Sequence, residues 1–354
     1  MLQVMPVSQS QANQRAGRAG RECEGKCFRL FTEEAFDSLQ ESAVPEIQRV
    51  GVAQVILQLF AIGVENPLAF PYPSPPSKQA LHKALTQLLH LGALTREKTL
   101  SDHGRTMAKI PLEPSYAHLL LCARDFGCMS EALTAVAMLS TDNVYVQPHR
   151  EDQKKTAGQI HRHFASRDGD FVTLINIYEA WSKSGKSRGW SARSFINHRA
   201  MTHAASVRGQ ISQLLQSMGI DPTPSCLPER DPLLKCIAKG LSTNIACAVS
   251  AIDSQANTGK GLRGKSFNAK GQQMTSHAPY RTVSGGQDVY VHPSSALFAR
   301  GSKLPRHVVF AEILVTTKHY MRCISVMDIG WLQELNLQFI RQQEPSQNST
   351  QQRK

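Results

Sequence analysis

The residues with the clearest chemical potential form a short basic run near the start of the chain, Gln14-Arg15-Ala16-Gly17-Arg18-Ala19-Gly20-Arg21. Gln14, Arg18 and Arg21 recur at spacings of four and three, so a helix that begins here would present all three on one face. Arginine guanidinium groups bind phosphate oxygens bidentately and stabilise the charge that develops during phosphoryl transfer. The run therefore predicts a site for the terminal phosphate of a nucleotide.

Positive charge is unevenly distributed along the chain, whose 354 residues carry a formal net charge of +12. Residues 1–150 hold 14 Lys and Arg against 14 Asp and Glu, whereas residues 151–354 hold 26 against 14. A basic surface commonly binds a polyanion, which predicts nucleic acid as the partner of the second half. An ordinary solvated basic surface is the alternative. The candidate contacts, each equally open to a purely structural role, are Arg193, Arg199, Lys318 and Arg322.

Several classes of protein are disfavoured by the sequence. No apolar run reaches the length of a membrane span, and the N-terminus lacks the layout of a signal peptide, so an intracellular protein without a membrane partner is expected. The eight cysteines form no Cys-x-x-Cys pair and are expected to be reduced. Cys23 and Cys27 have no second pair nearby, and no metal site is predicted.

The predicted fold class is α+β with several domains, beginning with a short segment that contains the basic run. Residues 1–44 predict a helix start, a strand from Lys26 to Phe31 and a helix capped by Thr32. This is too little chain to form a domain. We therefore expect residues 1–44 to be the C-terminal end of one.

Residues 45–111 have the pattern of a winged helix. A helix is followed by a proline-rich loop, a helix capped by Ser77 and ended by Gly92, a two-stranded wing at 93–100, and a helix capped by Ser101. The combination of short helices and one small wing within about 65 residues favours this fold.

Residues 112–232 are predicted to form a helical bundle, in which one long helix runs from about Ser191 to Met218. Aromatic residues at helical spacing, such as Phe171 and Trp181, could serve as platforms for nucleic-acid bases. A core position is the better interpretation, because aromatic stripes on helices are usually buried.

Residues 233–341 predict a small antiparallel β-barrel, since four or five short strands follow one another and closure removes exposed edges. Gly285-Gly286 predicts a tight hairpin turn. The stretch at 253–279 lacks periodicity and is interpreted as a flexible insertion whose lysines could reach phosphates. The tail at 342–354 is expected to be disordered.

The basic run and many later segments resemble the DEAH/RHA class of superfamily 2 RNA helicases. The run matches motif VI of that family, and the resemblance spans about residues 4–340. The further matches, in order, are Gly25 to Phe31, Pro45 to Arg49, Leu88 to Leu94, Ala137 to Ser140, Gly169 to Leu174, Trp190 with Phe195 to Asn197, Tyr280 to Val283, His292 to Ser295, and Lys318 to Arg322.

The resemblance implies the end of a second RecA-like domain, then a winged helix, a helical ratchet bundle and an OB-fold barrel. It implies that Gln14, Arg18 and Arg21 meet the γ-phosphate of ATP, with Arg18 and Arg21 in the catalytic role. It also implies that the chain binds single-stranded or structured RNA, largely without recognising the RNA sequence. In some members a G-patch-type activator protein binds the winged helix. The resemblance is also compatible with nuclear or nucleolar residence, and it leaves the cytoplasm open.

The rest of the family's ATP site is not recognised in this chain. We identify neither a Walker A phosphate loop nor an Asp-Glu-Ala-His box, which would bind the phosphates and Mg²⁺. ATP and Mg²⁺ are therefore expected in a full-length protein, and neither ATP binding nor hydrolysis by this chain alone. The favoured hypothesis is the C-terminal part of an active helicase that unwinds RNA or remodels ribonucleoproteins. The alternative is a catalytically inactive, stand-alone RNA-binding or adaptor protein.

Overall fold

The computed structural model divides into two compact units, residues 1–88 and 89–354. Most of the predicted insertion at 253–279 and all of the tail at 342–354 lie outside the described residues, which are 6–49, 51–141, 143–249, 266–267, 273–274, 279–298, 304–328 and 330–335.

The first unit is helical, and its helices begin where the sequence predicts caps. The Thr32 hydroxyl accepts a hydrogen bond from the Ala35 amide at 3.2 Å, and the Ser77 hydroxyl accepts one from the Ala80 amide at 3.1 Å. The helices are α1 (Gln9–Ala16), α2 (Glu33–Asp37), α3 (Ala53–Ala61) and α4 (Lys78–His90), with 3-10 turns at Glu46–Gln48 and Pro67–Ala69.

The predicted strand from Lys26 to Phe31 is wrong, because this segment forms no regular secondary structure. A strand exists only through hydrogen bonds to a neighbouring strand, and none among the described residues pairs with this segment. Its apolar side chains consequently face solvent: Phe28 is 84% exposed and Leu30 is 100% exposed.

The second unit begins with a small turn and a capped helix. Leu94 and Leu100 form an isolated antiparallel bridge, and the Ser101 hydroxyl accepts from the Gly104 amide at 2.9 Å. The helices of this unit are α5 (Asp102–Ala108), α6 (Pro114–Asp125), α7 (Met129–Leu139), α8 (Glu151–Phe164), α9 (Asp170–Lys183), α10 (Arg188–Arg193), α11 (His198–Ser217), α12 (Asp231–Gly240) and α13 (Trp331–Glu334).

The long helix predicted from Ser191 to Met218 is two helices, α10 and α11. The chain breaks at Phe195, whose φ of +53° is a left-handed conformation that no regular helix contains. The Asn197 side chain then accepts from the Ala200 amide at 3.2 Å and caps α11. The apolar stripe used to predict the long helix lies in α11, and α10 buries only Ser191, so apolar spacing carries no information about the break.

The core of the helical bundle contains the aromatic residues predicted to be buried. Phe171 is fully buried and Trp181 is 1% exposed, so neither can act as an open platform for bases. The prediction of a helical bundle is confirmed. The residues that pack together around Trp181 are Met138, Val144, Leu174, Ile177, Ile196, Met201 and Ala204.

The C-terminal part of the second unit is a closed five-stranded barrel, as predicted. The Gly285-Gly286 hairpin is present, with both glycines at positive φ. Two features differ from the prediction: β1 (Ile245–Ala248) is an additional strand, and β5 (Asp288–Val291) pairs with β7 (His319–Met327) in parallel. The barrel order is β1 (Ile245–Ala248), β4 (Tyr280–Thr282), β5 (Asp288–Val291), β7 (His319–Met327) and β6 (His307–Val315), and the separate pair β2 (Ser266–Phe267) and β3 (Gln273–Met274) is antiparallel.

A buried carboxylate joins the helical bundle to the barrel. Asp170, at the start of α9, accepts hydrogen bonds from the Ala296 amide (2.7 Å), the Ile324 amide (2.9 Å) and the Ser295 hydroxyl (3.0 Å). Burial raises the pKa of Asp170, although these donors oppose that shift. Gly169 permits the close approach, because a Cβ there would lie 2.2 Å from the Ile324 carbonyl oxygen.

A pair of histidines makes the stability of the second unit sensitive to acid. His103 Nε2 and His118 Nδ1 are 2.7 Å apart and join α5 to α6. Burial lowers the pKa of His118 to about 3, and the positive forms of His103 and Lys239 act in the same direction. Unfolded histidine titrates near pH 6.5, so between these values the unfolded chain binds the proton that the folded chain excludes.

Acidification is therefore expected to destabilise the fold, with His118 contributing about 1.4 kcal/mol per pH unit between about pH 6 and pH 4. Denaturant unfolding at a series of pH values measures this slope. The variant His118→Gln, which keeps a polar side chain but cannot titrate, should show a shallower dependence. An identical slope in the variant would contradict the assignment.

Candidate functional site

The basic run at 14–21 lies at the C-terminal end of α1, not at the start of a helix. The helix ends at Ala16, and Gly17 occupies the position after it. Gln14 therefore lies in the last helical turn, while Arg18 follows in a turn closed by its amide and the Arg15 carbonyl at 3.2 Å. The three predicted side chains do not share one helical face.

Neighbouring contacts hold this segment in place. Ser8 forms a reciprocal capping box with Gln11 at the start of α1. The Arg29 guanidinium donates to Asn13 Oδ1 at 2.7 Å and also lies 4.4 Å from the centroid of the Phe36 ring. These contacts connect the last turns of α1 to α2.

Gln14, Arg18 and Arg21 are all exposed to solvent. Within the residues that the structure describes, none of their side chains has a hydrogen-bonding or ionic partner. Exposed arginines are common on any surface, so exposure alone assigns no role. It does leave the two guanidinium groups and the amide without competing partners among the described residues.

The sequence does contain a run of residues that fits the Walker A pattern, so the expectation that none occurs is wrong. Residues 259–266 read Gly-Lys-Gly-Leu-Arg-Gly-Lys-Ser and fit Gly-x-x-x-x-Gly-Lys-Ser. A phosphate loop must open a helix, because the helix N-terminus supplies amides to the phosphates. Ser266 instead begins the short strand β2, and residues 259–265 lie outside the described residues. Ser266, the one residue of the pattern that the structure describes, thus lies in a strand and not at a helix N-terminus.

The four predicted nucleic-acid contacts occur as two pairs. Arg193 ends α10 and Arg199 lies in the first turn of α11, so both exposed side chains flank the break between these helices. Lys318 lies in the turn between β6 and β7, and Arg322 lies on β7. Arg322 is partly neutralised, because its Nη1 lies 3.1 Å from Glu312 Oε1.

Three aromatic residues beside Lys318 were missed by sequence reasoning. The Tyr290 and Tyr320 ring centroids are 6.4 Å apart, and the His292 and Tyr320 centroids are 5.6 Å apart at an interplanar angle of 85°. Lys318 Nζ lies 4.4 Å from the Tyr290 centroid. We call Tyr290, His292, Tyr320 and Lys318 the aromatic face. Alternation along β5 could have indicated Tyr290, but only the β5–β7 pairing brings Tyr320 beside it.

His292 has a defined hydrogen-bonding state on this face. The Ser294 backbone amide lies 3.1 Å from His292 Nδ1, and a backbone amide can only donate. Nδ1 is therefore an acceptor, and the ring proton resides on Nε2. Burial lowers the pKa of His292, and nearby Arg322 lowers it further, so both effects favour the neutral ring.

Two family models match parts of the second unit. The model described as helicase associated domain (HA2), ratchet-like, matches residues 113–174. The model described as oligonucleotide/oligosaccharide-binding (OB)-fold matches residues 233–337. Among the helices of the described residues, none combines the length and apolarity needed to cross a bilayer.

Three curated relatives align with 96% of the chain. The probable ATP-dependent RNA helicase DHX35 of Pongo abelii is 40% identical, the ATP-dependent RNA helicase DHX33 of Mus musculus is 36% identical, and the pre-mRNA-splicing factor ATP-dependent RNA helicase prp22 of Schizosaccharomyces pombe is 33% identical. The alignments cover 43%, 45% and 26% of these relatives, respectively. The chain thus spans less than half of the length of each.

Proposed function

The chain belongs to the DEAH/RHA family of ATP-dependent RNA helicases as a C-terminal portion, and from this premise we propose that it performs two tasks within a longer protein. It completes an ATP site with motif VI, and it holds RNA while that protein unwinds RNA or remodels ribonucleoproteins. The observation that supports the second task is the excess of positive charge in residues 151–354, which include most of the bundle and all of the barrel.

The first task assigns Gln14, Arg18 and Arg21 to the γ-phosphate of ATP. Their exposure and lack of partners among the described residues leave them free to approach a nucleotide. ATP and Mg²⁺ would be bound by upstream RecA-like domains, and Arg18 and Arg21 would stabilise the charge that develops on the transferred phosphoryl group.

The remaining parts of the fold proposal concern residues 1–111. Residues 1–44 are the end of a RecA-like domain, which is supported by the unpaired segment containing exposed Phe28 and Leu30. Residues 45–111 are a winged helix, which is supported by the order of α3, α4, the Leu94–Leu100 bridge and α5. A G-patch-type activator protein is the partner proposed for this part, and the nucleus or nucleolus is the proposed location.

The RNA-binding task is tested by measuring the affinity of the whole chain for single-stranded RNA at several salt concentrations. Four phosphate contacts, one for each of Arg193, Arg199, Lys318 and Arg322, predict a slope of about −3 for log K against log salt. The double variant Arg193→Gln with Arg199→Gln should reduce the slope by about 1.4. Arg105→Gln, which removes an exposed arginine paired with Asp102 on α5, is the matched control.

Absence of binding, or binding that does not depend on salt, would contradict the proposed function. The alternative, an adaptor that binds RNA without completing an ATP site, gives the same salt dependence. The two functions are distinguished by substituting Arg18 and Arg21 within a longer protein that hydrolyses ATP. If the chain is only an adaptor, these substitutions should leave ATP hydrolysis unchanged.

A further inference from the structure

We propose that the aromatic face is a subsite for one unstacked nucleotide of single-stranded RNA. The base stacks on a tyrosine ring, the phosphate meets Lys318, and His292 donates a hydrogen bond to an oxygen of the nucleotide. This inference rests on the proposed function, because it assigns a place and a set of contacts to the RNA that the chain is proposed to hold.

The tyrosines of the aromatic face are not needed to fill the barrel. Side chains two residues apart on a strand share a side of the sheet, so Tyr290 lies on the side opposite Val289 and Val291, which are core residues. Tyr280 provides the contrast within the same barrel. It is 1% exposed, belongs to the core and donates its hydroxyl hydrogen to the Pro305 carbonyl.

Lys318 is the cation best placed to meet a phosphate. Its side chain is exposed, and no carboxylate in the described part of the chain forms an ion pair with it, whereas Arg322 is paired with Glu312. The ammonium group lies over one face of the Tyr290 ring, so the group that covers this face is the end of an exposed lysine side chain. Base stacking on an aromatic ring outweighs an exposed cation–π contact, so a base can displace the ammonium towards the adjacent phosphate.

His292 supplies a donor without a protein partner. Its Nδ1 atom is occupied by the Ser294 amide and lies 2.7 Å from the Ser294 hydroxyl, which places the proton on Nε2. Nε2 has no hydrogen-bonding partner among the described residues. Nucleotides offer acceptor oxygens on phosphate, ribose and base, so a neutral donor beside a stacking ring matches their chemistry.

The test uses the whole chain and a twelve-nucleotide oligouridylate, whose bases stack weakly on each other. Tyr320→Leu and Tyr290→Leu are each expected to weaken binding by about 10-fold, whereas Tyr320→Phe, which keeps the ring, should bind like the wild type. Lys318→Met should reduce the salt slope by about 0.7. His292→Gln, which keeps a donor, should bind more tightly than His292→Leu.

The matched control for Lys318 is Lys186→Met. Lys186 is also exposed and lies over an aromatic ring, 5.9 Å from the centroid of Trp181, but on the helical bundle. Its substitution should change the affinity by less than about 2-fold, because a single exposed charge outside the subsite contributes little.

A photocrosslinking experiment decides the location independently of variant folding. Wild-type chain irradiated with oligouridylate that contains 4-thiouridine should give crosslinks at Tyr290, His292 or Tyr320. The subsite would be overturned if the folded Tyr290→Leu and Tyr320→Leu variants bound RNA as tightly as the wild type, or if crosslinks formed only on other surfaces. Either result would leave the proposed function intact. A wild-type chain that binds no RNA would instead reject the proposed function itself.

Discussion

Replacing Arg21 by alanine is expected to lower kcat for ATP hydrolysis by about 10³-fold or more in a chimera that joins this chain to the N-terminal part of the DHX35 of Pongo abelii. Arg18→Ala should have an effect of similar size. An arginine that meets the γ-phosphate stabilises charge that exists mainly in the transition state, so its loss lowers kcat more than it raises KM.

Phosphate release under saturating ATP and RNA measures this effect. Arg15→Ala is the matched control, because Arg15 is exposed, belongs to the same basic run and lies in the last turn of α1. It should reduce kcat by less than about 10-fold, as expected for a charge that does not reach the transferred phosphoryl group. Equal losses in all three variants would indicate a general requirement for basic charge and would reject the specific assignment.

Replacing Asp170 by alanine is expected to destabilise the second unit by about 3–5 kcal/mol. The substitution removes one carboxylate and leaves three donors, the Ala296 and Ile324 amides and the Ser295 hydroxyl, without their acceptor. Each buried donor without a partner costs about 1–3 kcal/mol. Asp170→Asn should cost less, because it keeps one acceptor oxygen and removes a charge whose burial is unfavourable.

Denaturant unfolding followed by circular dichroism measures the loss. Asp168→Ala is the matched control, since its carboxylate is more exposed and contacts Arg230 and Ser166 near the same joint. We expect it to cost about 1 kcal/mol or less, as for other partly exposed ion pairs. If Asp170→Ala unfolded at the same denaturant concentration as Asp168→Ala, the joint would not depend on the buried carboxylate.

Local features of the fold were predicted well from the sequence. Thr32, Ser77 and Ser101 cap helices as predicted. These caps can be predicted because each hydroxyl accepts a hydrogen bond from an amide only three residues further along the chain. The Gly285-Gly286 turn is also local, since positive φ is available to glycine wherever it occurs. The prediction of a helical bundle followed by a barrel also depended on local signals, namely the spacing of apolar residues within each segment.

Elements without a local signal were missed. Helix α8 is largely polar and buries only Ala157, so it has no apolar stripe to indicate it. Strand β1 contains two alanines and a cysteine, which have little preference for strands. It forms because β4 and β6 hydrogen-bond to it from both sides and so close the barrel.

The family, the basic run at 14–21 and the excess charge after residue 150 could all be identified without a structure, because they depend only on residue types and their order. The tertiary structure decided which of these residues meet. Gly17 ends α1 before Arg18, and the parallel pairing of β5 with β7 brings Tyr320 beside Tyr290, 30 residues earlier in the chain. The physical reason is that hydrogen bonds between distant strands select the neighbours of a side chain, and spacing along the chain carries no record of that selection.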